Sequence, residues 1–182
     1  MKNAKKILQA GDHATGFTLF EILIVVVILA VAAMIAIPTL GSAADMQVRA
    51  AANKIAADLD YAKGLAITRQ QNFTVVFTPA SESYEIRDDT GTTVIPHPVL
   101  GGLFQVDLRN ERNLGSVNIV LANFIAGSTS NAITFNYLGS PFAGTAASPG
   151  SELNSGQVKI EAGTFSLTVN VEPMTGYVTI DP

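Results

Sequence analysis

A single carboxylate, Glu21, stands inside an apolar run that carries no other charge as far as Ala44. An ionised side chain in such surroundings is costly and is kept where a partner neutralises it. Four residues earlier, at Phe17, the run starts directly after Gly16, and residues 1–16 are polar and basic, with Lys2, Lys5 and Lys6. That leader has no apolar core of its own. Cleavage at the small residue Gly16 would therefore leave the apolar run on the mature chain, with Phe17 as its new first residue. Thr18-Leu19-Phe20-Glu21 also fits the capping-box pattern, in which Glu answers a Thr three residues before it. A capping role and a charge-pairing role are compatible.

Other residues offer less chemistry. Asp88 and Asp89 beside Gly91 suggest a calcium loop, but such a site takes about six or more oxygens, and a solvated turn accounts for them. His13 belongs to the leader. His97 lies between Pro96 and Pro98 with no cysteine or carboxylate pair near it in sequence, which makes it neither a metal ligand nor a triad member. The chain has no cysteine, so disulfides and thiolate metal sites are excluded. No nucleophile elbow is present among the many serines and threonines. The expectation is a protein that is not an enzyme and uses no metal or cofactor.

The elements around Glu21 follow from periodicity. Residues 22–44 are long enough to cross a bilayer, which takes about 20 apolar residues as a helix. Val48, Ala52, Ile55, Leu59, Ala62 and Ala66 then recur at spacings of four and three, the interval of one apolar helix stripe. Together these predict one helix from about residue 18 to about residue 69, on the order of 75 Å long at about 1.5 Å per residue. Pro38, with Gly41 nearby, is expected to kink or loosen it. From Phe73 the period changes to two. Strands are predicted at 73–78, 84–87, 92–95, 104–108, 117–122, 133–137, 158–161, 165–172 and 177–180. Asp88-Asp89-Thr90-Gly91 and Pro173-Met174-Thr175-Gly176 supply turns, and the Gly-, Ser- and Pro-rich segment 138–157 reads as a long exposed loop. The fold class is α+β, a long N-terminal helix packed on an antiparallel sheet domain. The division is a leader 1–16, an apolar helix 17–44, its amphipathic continuation 45–71 and a β-rich domain 72–182.

Charge bears on partners and orientation. The 182 residues are 48% hydrophobic and 14% charged, with a formal net charge of −4. Removal of residues 1–16 takes away three lysines and Asp12, leaving 8 basic against 14 acidic residues, a charge of −6. That balance repels nucleic acid. The leader lysines precede the apolar span and the bulk of the chain follows it, so the positive-inside rule sets the N-terminus in the cytoplasm and the domain outside.

The junction Gly16-Phe17-Thr18-Leu19-Phe20-Glu21, the apolar run and Pro38 together resemble the type IV prepilin-like proteins, which build pili and the pseudopili of type II secretion. More loosely, Arg49-Ala50-Ala51-Ala52-Asn53-Lys54 onward and Thr175-Gly176-Tyr177-Val178 resemble the GspH/FimT type of minor pseudopilin or pilin. The resemblance implies that a prepilin peptidase cuts after Gly16 and methylates Phe17. It implies that Glu21 meets the amine of Phe17 on an adjacent subunit and so sets the axial register. The implied location is the bacterial inner membrane in a single pass, with the domain in the periplasm, and then a pseudopilus or pilus. Implied partners are other pilin or pseudopilin subunits and an inner-membrane assembly platform driven by a cytoplasmic ATPase. The implied work is that of a minor pseudopilin supporting export across the outer membrane. Alternatives are a minor type IV pilin priming a surface pilus, and a membrane-anchored binding module, for instance in DNA uptake. FimT-type DNA-binding pilins are expected to carry basic residues near the last hairpin, and 175–182 has none. Mass spectrometry of the purified protein is expected to find a chain beginning at N-methylated Phe17, and a bulky residue at position 16 is expected to leave it uncut.

Overall fold

The computed structural model describes residues 17–182, apart from the side chains of 35–42 and of residue 149. A single helix, α1, runs Leu19–Arg69. It ends because Gln70 enters the left-handed region at φ 55° and the Gln71 N–H reaches back to the Ala66 carbonyl at 3.3 Å. This is the Schellman closure, here with glutamine in the place glycine usually takes. The chain divides into two compact units, one ending at Thr39 and the other spanning Leu40–Pro182. Among the described residues no helix is long and apolar enough to cross a membrane. The expected span of 22–44 passes through residues whose side chains lie outside those described.

The second unit carries eleven strands, all paired antiparallel. They are β1 Phe73–Thr78, β2 Ser83–Arg87, β3 Gln105–Asp107, β4 Asn118–Ala126, β5 Ser128–Ser130, β6 Ala132–Phe135, β7 Pro141–Thr145, β8 Ser148–Glu152, β9 Ser155–Ala162, β10 Phe165–Val171 and β11 Val178–Asp181. They form a six-stranded sheet in the order β3-β2-β1-β6-β7-β8 and a five-stranded sheet in the order β11-β10-β9-β4-β5. All six residues of the predicted helix stripe are fully buried, in one continuous core with Phe73, Phe77, Phe124, Phe135, Val158 and Ile160. Apolar burial on this scale is the main favourable term in folding. Aromatic rings join the two sheets: Phe77 of β1 lies 5.3 Å from Tyr84 of β2 and 5.8 Å from Phe124 of β4, ring centre to ring centre.

Two expectations are overturned. Residues 92–95 form no strand, because β3 takes the edge of β2 opposite Ser83, Tyr84 and Glu85 and leaves only an isolated bridge between Arg87 and Val94. Segment 138–157 is no loop, since it contributes β7, β8 and the start of β9 to the sheets. Its small residues serve close backbone approach: a Cβ added to Gly150 would lie 2.5 Å from the Ala143 carbonyl oxygen. The closing hairpin forms as expected, with β10 and β11 joined through the turn at Pro173 to Gly176.

Leu59 has no solvent exposure in the middle of the stripe. Leu59→Ala is expected to destabilise the domain by about 2–5 kcal/mol, read as a lower midpoint in urea unfolding with an unchanged slope.

Candidate functional site

Thr18 begins α1 as its N-cap. Its hydroxyl oxygen accepts the Glu21 N–H at 3.2 Å, and its carbonyl accepts the N–H groups of Glu21 and Ile22 at 3.1 and 3.2 Å. Only half of the capping box is made. The amide of Glu21 is used, whereas its carboxylate forms no hydrogen bond or ion pair among the described residues. An acid in the first turn is favoured by the helix dipole, and this one remains open to another partner. Phe17 precedes the cap and is 77% exposed, and every side chain from 17 to 34 is exposed. Among the described residues the first unit therefore presents an apolar helix with a carboxylate near its start that no described group pairs. Gly16 lies outside the described residues, as does His13. Pro38 and Gly41 fall within the bounds of α1, but their side chains are outside the described set.

The second unit holds a polar cluster at the rim of the stripe that periodicity did not reveal. Tyr84 Oη donates to Asp58 Oδ2 at 2.6 Å, and Lys54 Nζ stands 3.8 Å from Asp58 and 3.7 Å from Glu111. Burial raises the carboxyl of Asp58 above its ordinary range, against the opposing effects of the Tyr84 hydroxyl and the Lys54 ammonium. Burial, then the charge of Asp58, holds the Tyr84 phenol well above its usual value. Further along α1, Lys63 Nζ donates to the Gly176 carbonyl at 2.9 Å, fastening the closing turn to the helix. Lys54 and Asp58 are i,i+4 partners, a spacing legible in the sequence, but nothing in the chain before Tyr84 signals that a phenol will complete the group.

Asp88 sits in a solvated turn. Its Oδ1 accepts the Thr90 hydroxyl at 2.5 Å and the Thr90 N–H at 3.1 Å, and the hydroxyl bond lowers its carboxyl below the usual range. His97 closes a loop: its Nδ1 accepts the N–H groups of Val99 and Leu100 at 3.2 and 3.1 Å, and its ring stacks on Phe104 at 4.5 Å. Among the described residues no three His, Asp or Glu side chains converge as a metal site.

Two sequence profiles match this chain. The prokaryotic N-terminal methylation motif covers residues 12–37. The profile described as type II transport protein GspH covers residues 51–175, more than half of the sequence. This chain belongs to the GspH family. The match spans most of the stripe and ten of the eleven strands, stopping before β11, so membership rests on the greater part of the second unit. Among solved structures, the minor pseudopilin EpsH from the type 2 secretion system of Vibrio cholerae is similar at 12% identity and a TM-score of 0.46, over 74% of this chain and 95% of that one. The type IV minor pilin FimU of Pseudomonas aeruginosa is similar at 12% identity and a TM-score of 0.45, over 74% and 92%. No curated protein sequence matches significantly.

Within this GspH domain the Tyr84–Asp58 bond has a testable signature. Tyr84→Phe leaves a largely buried carboxylate short of a donor, at a cost of about 1–3 kcal/mol at neutral pH. The folded phenol ionises well above its ordinary value, so its contribution is complete below about pH 10 and is lost as pH climbs toward the folded value. Urea unfolding across pH 7 to 11 is expected to show the wild-type advantage over Tyr84→Phe shrinking above about pH 10.

Proposed function

We propose that this protein is a minor pseudopilin of a type II secretion system. In this reading residues 1–16 are removed by a prepilin peptidase and the amine of Phe17 is methylated. Residues 17–44 anchor the chain in the inner membrane with the domain in the periplasm, and later pack in the core of a short fibre. The observation that carries the reading is the pairing of two matches on one helix: α1 enters the methylation motif at one end and the GspH domain at the other. The described geometry supports it. The Thr18 cap leaves the Glu21 carboxylate uncommitted, and a fibre core withdrawn from water would require a counter-charge for it. The methylated amine of Phe17 on an adjacent subunit supplies that charge and fixes the axial offset between neighbours. The work is mechanical: the fibre, driven through an inner-membrane platform by a cytoplasmic ATPase, moves cargo toward the outer membrane. No step in this reading calls for catalysis by the chain itself.

Deleting the gene is expected to stop export of a type II substrate while surface piliation persists; loss of piliation with normal export would instead assign the subunit to a type IV pilus. Glu21→Ala tests the site. The peptidase reads the junction before residue 17, so the variant is expected to be cleaved and inserted normally. Loss of one partner from a charge pair withdrawn from water costs about 3–5 kcal/mol, so incorporation into sheared or crosslinked fibres is expected to fall steeply. Normal incorporation would remove the register role and leave Glu21 as a first-turn helix residue.

A further inference from the structure

The outermost strands of the two sheets are β3, β8, β5 and β11. Open edges invite pairing with another chain, and natural sheets blunt them by shortness, proline or irregular register. β3 and β5 have three residues each. β8 includes Pro149 and meets β7 across a register shift between Phe142 and Gly144. β11 is also short, with four residues, Val-Thr-Ile-Asp, but it holds no proline and keeps a regular register against β10.

The ladder shows which groups that edge presents. The Glu172 N–H donates to the Tyr177 carbonyl at 2.8 Å, so these facing residues are a hydrogen-bonded pair. Bonded and non-bonded pairs alternate in an antiparallel ladder. In the observed register the next bonded pairs are Asn170 with Thr179 and Thr168 with Asp181. Val178 and Ile180 therefore turn their N–H and C=O groups away from β10, and no backbone hydrogen bond reaches those groups among the described residues. Their side chains are half-buried against the core, which holds the edge in place.

We propose that β11 is a homotypic docking edge, at which two copies of this chain pair β11 antiparallel to β11 about a two-fold axis at Thr179. Two five-stranded sheets then become one. Val178 faces the partner's Ile180, and each such pair exchanges N–H···O=C bonds in both directions. The side chains agree with this register: apolar Val178 and Ile180 meet on one face, Thr179 meets its own copy, and Tyr177 stands opposite Asp181 with no like charges opposed. Sliding the register by two residues sets Val178 against Pro182, which has no N–H, or Ile180 against Gly176 in the turn. A second copy thus satisfies the edge in one register only. So short a contact falls below the roughly 1,000 Å² of a stable interface, so it forms between chains held at high local concentration and dissociates on dilution.

Covalent trapping suits a contact of that strength. The sequence has no cysteine, so Thr179→Cys introduces the sole thiol. Non-hydrogen-bonded antiparallel partners have Cα atoms about 4.5 Å apart, within the disulfide range of about 4.4–6.8 Å. The full-length protein in membranes, oxidised with copper phenanthroline and run on non-reducing gels, is expected to give a disulfide dimer for Thr179→Cys. The exposed-turn control Thr92→Cys is expected to give about tenfold less, lacking a fixed partner geometry. Adding Val178→Pro to Thr179→Cys removes an outward N–H and no bond to β10, so trapping is expected to disappear while circular dichroism stays unchanged. Trapping no stronger than at Thr92, or trapping that survives Val178→Pro in a folded domain, would overturn the proposal. A Thr179→Cys crosslink to a different protein in place of a second copy would overturn it as well.

Discussion

The domain depends on one helix face. Val48, Ala52, Ile55, Leu59, Ala62 and Ala66 lie on a single stripe of α1 without solvent exposure, and both sheets contribute to the core that covers them. Three of the six are alanines, which allow strands to approach the helix closely where leucines would hold them off. The larger volume comes from the sheets, through Phe73, Phe77, Phe124 and Phe135. A narrow helix surface and a bulky sheet surface complement each other, as the close packing of a protein interior requires. Among the described residues the same helix has no such cover from 19 to 34, where every side chain is exposed, so one continuous element is buried at one end and open at the other.

Polar bonds at the rim of the stripe fix what apolar packing alone leaves free to slide. Tyr84 reaches Asp58 from β2 and Lys63 reaches the carbonyl of Gly176 in the closing turn. Glu82, at φ 53°, turns its buried carboxylate to the Ile119 N–H and its carbonyl to the Leu108 N–H, the latter at 3.0 Å. These contacts join α1 to the first and last parts of the β-domain and join the six-stranded sheet to β4. All but the Glu82–Leu108 backbone bond set a charged group on a backbone or hydroxyl partner, which is stronger than a neutral bond and more exacting in geometry.

Legibility in the sequence followed the strength of the periodic signal. The stripe of α1 was readable because spacings of three and four admit one interpretation, and β1, β9 and β10 because their β-branched alternation does the same. β7 and β8 were missed because Gly, Ser, Ala and Pro carry no apolar period, although their smallness is what lets the backbones meet at Gly150 and Ala143. Residues 92–95 had the composition of a strand and lost their place to β3, a competition for one edge that local sequence does not record. At the helix entry, Thr18 and Glu21 suggested a reciprocal box. Only the structure separates the amide of Glu21, which the cap uses, from its carboxylate, which the cap leaves alone.

The position of α1 at the start of the chain has a consequence for the order of events during synthesis. The ribosome delivers the stripe of 48–66 before any strand that will cover it, and β1 cannot complete its place in the sheet until β6, some sixty residues later, has emerged beside Phe73 to Val76. The five-stranded sheet closes later still, with β11 at the very end of the order. A chain built of such distant pairings stays open through most of its translation, and non-local pairing of this kind is slow to form. An unfinished domain is therefore still a thread until its last strands are made, and the stripe of α1 waits uncovered through most of its synthesis.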